Sequence, residues 1–334
     1  RRVPVRPASF ATLFAAQSLG SAGFIAAATI NSIVGAELSH QPAWAGVPSG
    51  VYQIGGALAA FGWGYGMERW GRRSGLTLGL IFGVVGAGIA SIAVITRSFW
   101  LFLGGMILMG AANSALQLAR FTAAEVHPPA ERGRAISNVV LGGTMGAVFG
   151  PLMVGPLGKW SHQLGLAELA GPYVASLGLF ALAAIAVAIF LRPEPRDVGR
   201  EVARRFPEAL RNGGRVRAIP EILRQPATIV AMTAMIIGQL TMVMLMVITS
   251  LHMKGHHHEL GAISLVISSH TFGMYAFSIL SGRMADRFGR AMTICIGALT
   301  LILACLTAPL SPDAQSVPIS VSLFLLGLGW NFCY

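Results

Sequence analysis

The sequence predicts an all-α membrane protein, and three observations carry that prediction. First, 54% of its 334 residues are hydrophobic and only 11% are charged, whereas soluble domains carry about 25% charge. The mean hydropathy is +0.67. Second, apolar stretches of bilayer-spanning length, about 20 residues as a helix, recur along the whole chain. Third, the basic residues gather at alternate ends of these stretches. The apolar content, with no long polar tract, excludes a disordered chain. The 41 glycines suit helices that approach closely in lipid.

Ten spans are expected, near 8–38, 43–67, 74–95, 98–123, 133–158, 170–192, 226–252, 260–284, 290–309 and 316–334. The first and fifth exceed the minimum, so they tilt or extend beyond the bilayer. The first carries the polar residues Gln17, Ser18, Ser21 and Asn31, and the fourth carries Asn113 and Gln117, as residues lining a cavity would. The second and eighth end in charged, glycine-bounded turns. The long loop 193–225 joins the sixth to the seventh. Glu201 and Arg205, four apart, predict short surface helices there, joined by a flexible turn at Asn212-Gly213-Gly214.

Counting Arg and Lys outside the spans sets the orientation. With a cytoplasmic N-terminus, the inner segments hold 20 Arg and the outer loops hold only Arg97, Lys159 and Lys254. The net charge of +11 therefore reads as topology, not as a nucleic-acid surface. Cys295, Cys305 and Cys333 have no zinc or disulfide spacing and read as buried reduced thiols in apolar segments. No secretory signal pattern precedes the first apolar run.

The two halves repeat. The second span ends Gly64-Tyr65-Gly66-Met67-Glu68-Arg69-Trp70-Gly71-Arg72-Arg73, and the eighth ends Gly282-Arg283-Met284-Ala285-Asp286-Arg287-Phe288-Gly289-Arg290. Both read Gly, three residues, an acid, Arg, an aromatic, Gly, Arg. This pattern resembles the signature cytoplasmic loop of the major facilitator superfamily. The resemblance implies a major facilitator fold: two six-helix bundles with pseudo-twofold symmetry around a cavity that opens alternately to each side. It implies an N-terminal bundle over 1–192, a linker over 193–225 and a C-terminal bundle from 226 to 334, with ten of twelve helices in this sequence. It also implies a gating role for Glu68, Arg69, Arg72, Arg73, Asp286, Arg287 and Arg290, whose charge pairs would break and re-form as the bundles rock. Alternatively these arginines only fix topology. Gly146, Gly150, Pro151 and Gly155 look like the Gly-Pro element of antiporters in the superfamily. The Arg that proton-linked members often carry in the fourth span is replaced by Met106.

The seventh span carries Met232, Met235, Met242 and Met246, and the eighth carries His270 and Met274. Met242 and Met246 are four apart, as are His270 and Met274, so each pair shares one helix face. Two adjacent helices would then offer three thioethers and one imidazole, donors that suit Cu(I). The two motifs resemble the copper-importing branch of the superfamily, which supplies copper for bacterial cbb3-type cytochrome oxidase. The resemblance implies Met242, Met246, His270 and Met274 as metal ligands on the path. The alternative is packing, since Met fills membrane cores. The outer loop with His252, Met253, His256, His257 and His258 is either a metal entrance or a polar loop, and Met232 and Met235 either continue a ladder or pack.

No carboxylate sits at mid-membrane. Glu125 lies near the inner end of the fourth span, five residues after Arg120, an angularly offset spacing. Protonation of His270 would compete with a metal for the imidazole, which gives one route to coupling. The leading expectation is a copper importer of a bacterial cytoplasmic (inner) membrane, with copper as transported substrate and no tightly bound organic cofactor. The implied partners are the bilayer and copper chaperones for oxidase assembly, with no nucleic acid, and the expected working state is a monomer. The alternatives are a proton-linked exporter of a drug or other small organic solute, and a non-transporting assembly factor. An enzyme is the weakest expectation, because no nucleophile–base pair, phosphate loop or dinucleotide fingerprint occurs.

Overall fold

The computed structural model describes residues 7–206, 219–310 and 316–333. Every helix and 3-10 turn in these stretches is joined by short connections, and no strand occurs among the described residues. The turn expected at Asn212-Gly213-Gly214 lies outside them. The chain divides into two compact units, Arg1–Gly214 and Arg215–Tyr334.

The first unit contains α1 (Pro7–Ser39), α2 (Val47–Trp70), α3 (Arg72–Ile95), α4 (Phe99–Gln117), α5 (Ala119–Glu125), α6 (Arg132–Gln163), α7 (Gly171–Phe190) and α8 (Pro195–Arg205). Prolines open several of them: Pro48, Pro172 and Pro195 occupy first-turn positions, where a missing N–H is harmless. Ser98 caps α4 by accepting from the Leu101 amide at 3.4 Å. On α8 the expected pair forms, with Arg205 Nε donating to Glu201 Oε1 at 2.8 Å.

Glycines set the spacing of this unit. Gly142, Gly146 and Gly150 place one face of α6 against the α1 backbone, where a Cβ on Gly146 would overlap the Ser18 carbonyl and one on Gly150 would lie 2.7 Å from the Ala22 carbonyl. The Gly-Pro element of the fifth expected span is thus a helix seam. Several polar groups inside it are paired, as lipid demands. Tyr173 Oη donates to Asn31 Oδ1 at 2.7 Å, Ser176 Oγ to the Gly23 carbonyl at 2.8 Å, and Trp63 Nε1 to the Ala111 carbonyl at 2.8 Å. Phe24 packs on Phe180 with ring centroids 4.6 Å apart.

The second unit contains α9 (Ile219–Leu223), α10 (Pro226–Gly255), α11 (Leu260–Ala276), α12 (Ser278–Phe288), α13 (Arg290–Thr307) and α14 (Ser316–Cys333). Helix α14 is its centre. Gly327 lets it touch α11, because a Cβ there would overlap the His270 carbonyl, and Gly329 lets it touch α13 at 2.8 Å from the Leu301 amide.

Ten crossings were expected, but length and composition support fewer. Among the described residues, seven helices are long and apolar enough, and α11 with α12 makes an eighth, bent by 42°. The second expected span becomes α2, which does not pass because glycines, Gln53 and its terminal charges dilute its hydropathy. The tenth becomes α14, whose apolar part, Val317–Cys333, is shorter than 18 residues.

Candidate functional site

The two repeated turns fold alike. Gly71 ends α2 and opens α3 with φ +98° and ψ 158°, and Gly289 ends α12 and opens α13 with φ +86° and ψ 157°. Only Gly adopts this region freely. Each turn starts its next helix the same way, with Gly75 N–H donating to the Gly71 carbonyl at 3.1 Å and Thr293 N–H to the Gly289 carbonyl at 3.3 Å.

Around the first turn the charges are specifically joined. Arg72 grips Glu125 with two bonds, Nε to Oε2 at 2.9 Å and Nη2 to Oε1 at 2.5 Å. In sequence Arg120 lies five residues before Glu125, an offset spacing that does not pair them directly. Instead Arg120 leans over the Phe121 ring at 5.2 Å, and its Nε is shielded without a hydrogen-bond partner. Five helical positions put the two side chains on different faces, whereas the α2–α3 turn delivers Arg72 directly.

Two residues that sequence reasoning missed complete this turn. Glu194 Oε1 accepts the backbone N–H groups of Arg72 and Arg73, at 2.5 and 3.1 Å. Arg196 Nη1 donates to the carbonyls of Glu68 and Arg69, both at 3.0 Å. An acid therefore caps the start of α3 and a base caps the end of α2, each opposite in sign to the helix end it meets. The only sequence signal was an acid and a base flanking Pro195 at a helix start, and it gave no hint of the distant partner. The side chains of Glu68 and Arg69 are exposed, as are Asp286, Arg287 and Arg290 in the second unit, where Arg287 lies 5.3 Å over the Phe288 ring. Glu68, Arg72, Glu125, Arg132, Arg196 and Arg200 line a cleft of about 640 Å³.

The cavity candidates of the first unit differ in setting. Gln17 is buried, donates to Ser21 Oγ at 3.3 Å and abuts Gly143. Asn113 is half-buried and Gln117 is exposed at the end of α4.

The four donors of the second unit fall into two seams. Met242 and Met246 pack with Leu245 against Leu301, Ala304, Leu326 and Cys333, between α10, α13 and α14. Gly238, one turn earlier, faces Cys333 and Leu301 in the same seam. His270 is buried on the other flank of α14, where its Nδ1 lies 3.1 Å from the Leu323 carbonyl. Met274 is buried one turn on, beside Gly327. Each pair thus meets its own set of α14 residues, Leu326 and Cys333 for the methionines and Leu323 and Gly327 for His270 and Met274. His270 Nε2 is shielded and has no hydrogen-bond partner. Nearby, Gln239 Oε1 accepts from Trp330 Nε1 at 3.0 Å, and Phe272, Phe277 and Phe324 form an aromatic cluster.

Met232 is exposed and Met235 half-buried on the first turns of α10. In the histidine loop, His252 and His256 are exposed with ring centroids 4.4 Å apart, and His256 Nδ1 lies 3.0 Å from the His252 carbonyl. His257 is exposed, His258 half-buried and Met253 fully buried. Among the described residues, no three His, Cys, Asp or Glu side chains converge as a metal site. All three thiols were expected to be buried; Cys333 is, in the methionine seam, but Cys295 and Cys305 are exposed free thiols, since an apolar stretch of a membrane helix also has an outward face.

Comparison with known proteins fits this geometry. The sequence profile of the Major Facilitator Superfamily matches residues 9–334. The uncharacterized MFS-type transporter YdeG of Bacillus subtilis (strain 168) is 34% identical over 319 residues, covering 95% of this chain and 73% of the relative. The riboflavin transporter RfnT of Brucella anthropi is 31% identical over 321 residues, covering 95% of this chain and 76% of the relative. Among solved structures, the partially occluded inward open conformation of the xylose transporter XylE from E. coli superposes with a TM-score of 0.70 at 14% identity, over 97% of this chain and 84% of that one. At that identity the likeness speaks for the fold alone.

Proposed function

The chain belongs to the Major Facilitator Superfamily, and from that premise we propose that it carries a small organic solute, planar and rich in hydrogen-bonding groups, across a bacterial cytoplasmic membrane. It is a multi-pass secondary transporter and not an enzyme. The observation that carries the organic reading is that Met242 and Met246 pack in an apolar seam with Leu301, Ala304, Leu326 and Cys333, as core-filling side chains do. The Phe272, Phe277 and Phe324 cluster and the Gln239–Trp330 bond are the kinds of group that suit a flat, polar-edged ligand, since aromatic faces stack and amide groups orient. The riboflavin transporter among its relatives supports a flavin-like solute.

In this proposal residues 1–192 form one bundle and residues from 226 onward belong to the other, with 193–225 as linker. The N-terminus is cytoplasmic, by the distribution of arginine, and the working unit is a monomer in the bilayer with no nucleic-acid partner. The repeated turns gate access.

A second reading keeps copper as the transported substrate, delivered onward to chaperones for oxidase assembly. One observation favours it: His270 Nε2 lacks a partner and lies one turn from the Met274 thioether. Uptake assays decide between the two. Cells expressing the full-length protein are given radiolabelled riboflavin or radiolabelled copper under reducing conditions, beside empty-vector cells. The organic reading expects flavin uptake above the control and copper uptake equal to it. Copper uptake lost in both Met242→Ala and His270→Ala would replace it.

A further inference from the structure

The cleft beside the first repeated turn has a charge balance that solute transport leaves unexplained. Of its two acids, Glu125 is already held by Arg72 through two hydrogen bonds. Of its four arginines, Arg72 is thereby neutralised, which leaves Arg132, Arg196 and Arg200 against Glu68 in the lining and Asp197, which is ion-paired with Arg196, beside it. Arg196 spends Nη1 on the carbonyls of Glu68 and Arg69. The Nε–H groups of Arg132 and Arg196 are shut away from water with no hydrogen-bond acceptor. The acid nearest Arg196 Nε is Asp197, at 3.6 Å, too far for a hydrogen bond.

Guanidinium forks match the oxygen spacing of a phosphate and bind it in bidentate fashion. One wall of the same cleft is apolar, formed by Phe121, Ala124, Gly199 and Ala203, and Phe121 is 50% exposed. The volume of about 640 Å³ exceeds what one phosphate fills.

We propose that this cleft is a binding site for a phosphate group attached to an apolar body, with Arg132, Arg196 and Arg200 on the phosphate and Phe121 against the body. Two sources share that chemistry, an anionic lipid headgroup and a soluble phosphate ester. The occupied site would brace the Glu194–Arg196 caps, and so the first gate turn.

The test uses the full-length protein in neutral detergent. Retention of phosphatidylglycerol is read by native mass spectrometry against phosphatidylcholine. Stabilisation by phenyl phosphate is read by thermal unfolding against chloride at matched ionic strength. One probe or both should bind. Arg132→Gln with Arg200→Gln should weaken binding about tenfold, the loss expected when charge-assisted hydrogen bonds go. Gly199→Leu should do the same by filling the cleft without touching charge, and it carries the test if the double variant folds poorly. Arg204→Gln, outside the cleft, should bind as the parent does. Retention of phosphatidylglycerol alone assigns a lipid headgroup, and stabilisation by phenyl phosphate alone assigns a soluble ester. Failure of both probes, or equal binding by parent, double variant and Gly199→Leu, overturns the site. The readout is binding, so the flavin uptake assay stands or falls separately.

Discussion

Arg72 and Glu125, 53 residues apart, are joined by two hydrogen bonds of 2.9 and 2.5 Å. The pair fastens the α2–α3 turn to the end of α5, within one compact unit. Both side chains are partly shielded, at 17% and 36% exposure. Glu125→Gln should therefore lower stability by about 1–2 kcal/mol, between the values for exposed and buried pairs. Arg72→Gln should do the same, and the double variant should lose less than the sum, with a coupling of about 1 kcal/mol. Thermal unfolding of the four proteins in detergent measures the cycle, and strict additivity would deny the pair.

The repeated glycines should respond unequally to substitution. Both Gly71 and Gly289 have positive φ, so Ala at either position should cost about 1–2 kcal/mol of backbone strain. At Gly71 an added Cβ would also lie 2.9 Å from the Glu194 carboxylate, whereas at Gly289 it would meet nothing within 4 Å. Gly71→Ala should consequently be the more damaging. Unfolding midpoints of the two variants check the order, and a larger loss at Gly289 would contradict it.

The Glu194 and Arg196 caps should matter in the same region. Glu194→Gln keeps an acceptor oxygen but removes the charge facing the start of α3, and should cost about 0.5–1 kcal/mol. Glu194→Ala strips both acceptors from the Arg72 and Arg73 amides and should cost about 1–2 kcal/mol. Hydrogen exchange at the first amides of α3 localises the effect. Unchanged protection there in Glu194→Ala would rule the cap out.

The membrane class and the repeated turns were legible because each rests on a local demand. Lipid requires apolar length, and a positive φ requires glycine, so Gly71 and Gly289 announce themselves. The Arg72–Glu125 grip was not legible, since reading along one helix reached only Arg120, at an offset spacing. Glu194 and Arg196 were invisible for the same reason: each acts on helix ends more than 120 residues away. The count of ten spans was not confirmed at α2 and α14: a helix forms at each expected place, but one is too polar and the other too short to pass on hydropathy. The methionine and histidine spacings predicted which residues share a helix face. They carried no information on what that face meets, because this depends on where α14 sits.

That last point yields a direct test of the second unit. Met242 and Met246 lie in an apolar seam with Leu301, Ala304, Leu326 and Cys333. Leucine has nearly the volume of methionine but no sulfur donor, and such exchanges usually cost less than about 1.5 kcal/mol. Met242→Leu with Met246→Leu should therefore fold normally and transport an organic solute at the parent rate. Alanine at the same positions should open a cavity and cost about 2–5 kcal/mol each, which lowers transport through stability alone. The leucine variant separates packing from ligation where the alanine variant cannot. Full activity with leucine and loss with alanine identifies the seam as structure. Loss of activity in the leucine variant, with an unfolding midpoint equal to the parent's, would return both sulfurs to the transport path.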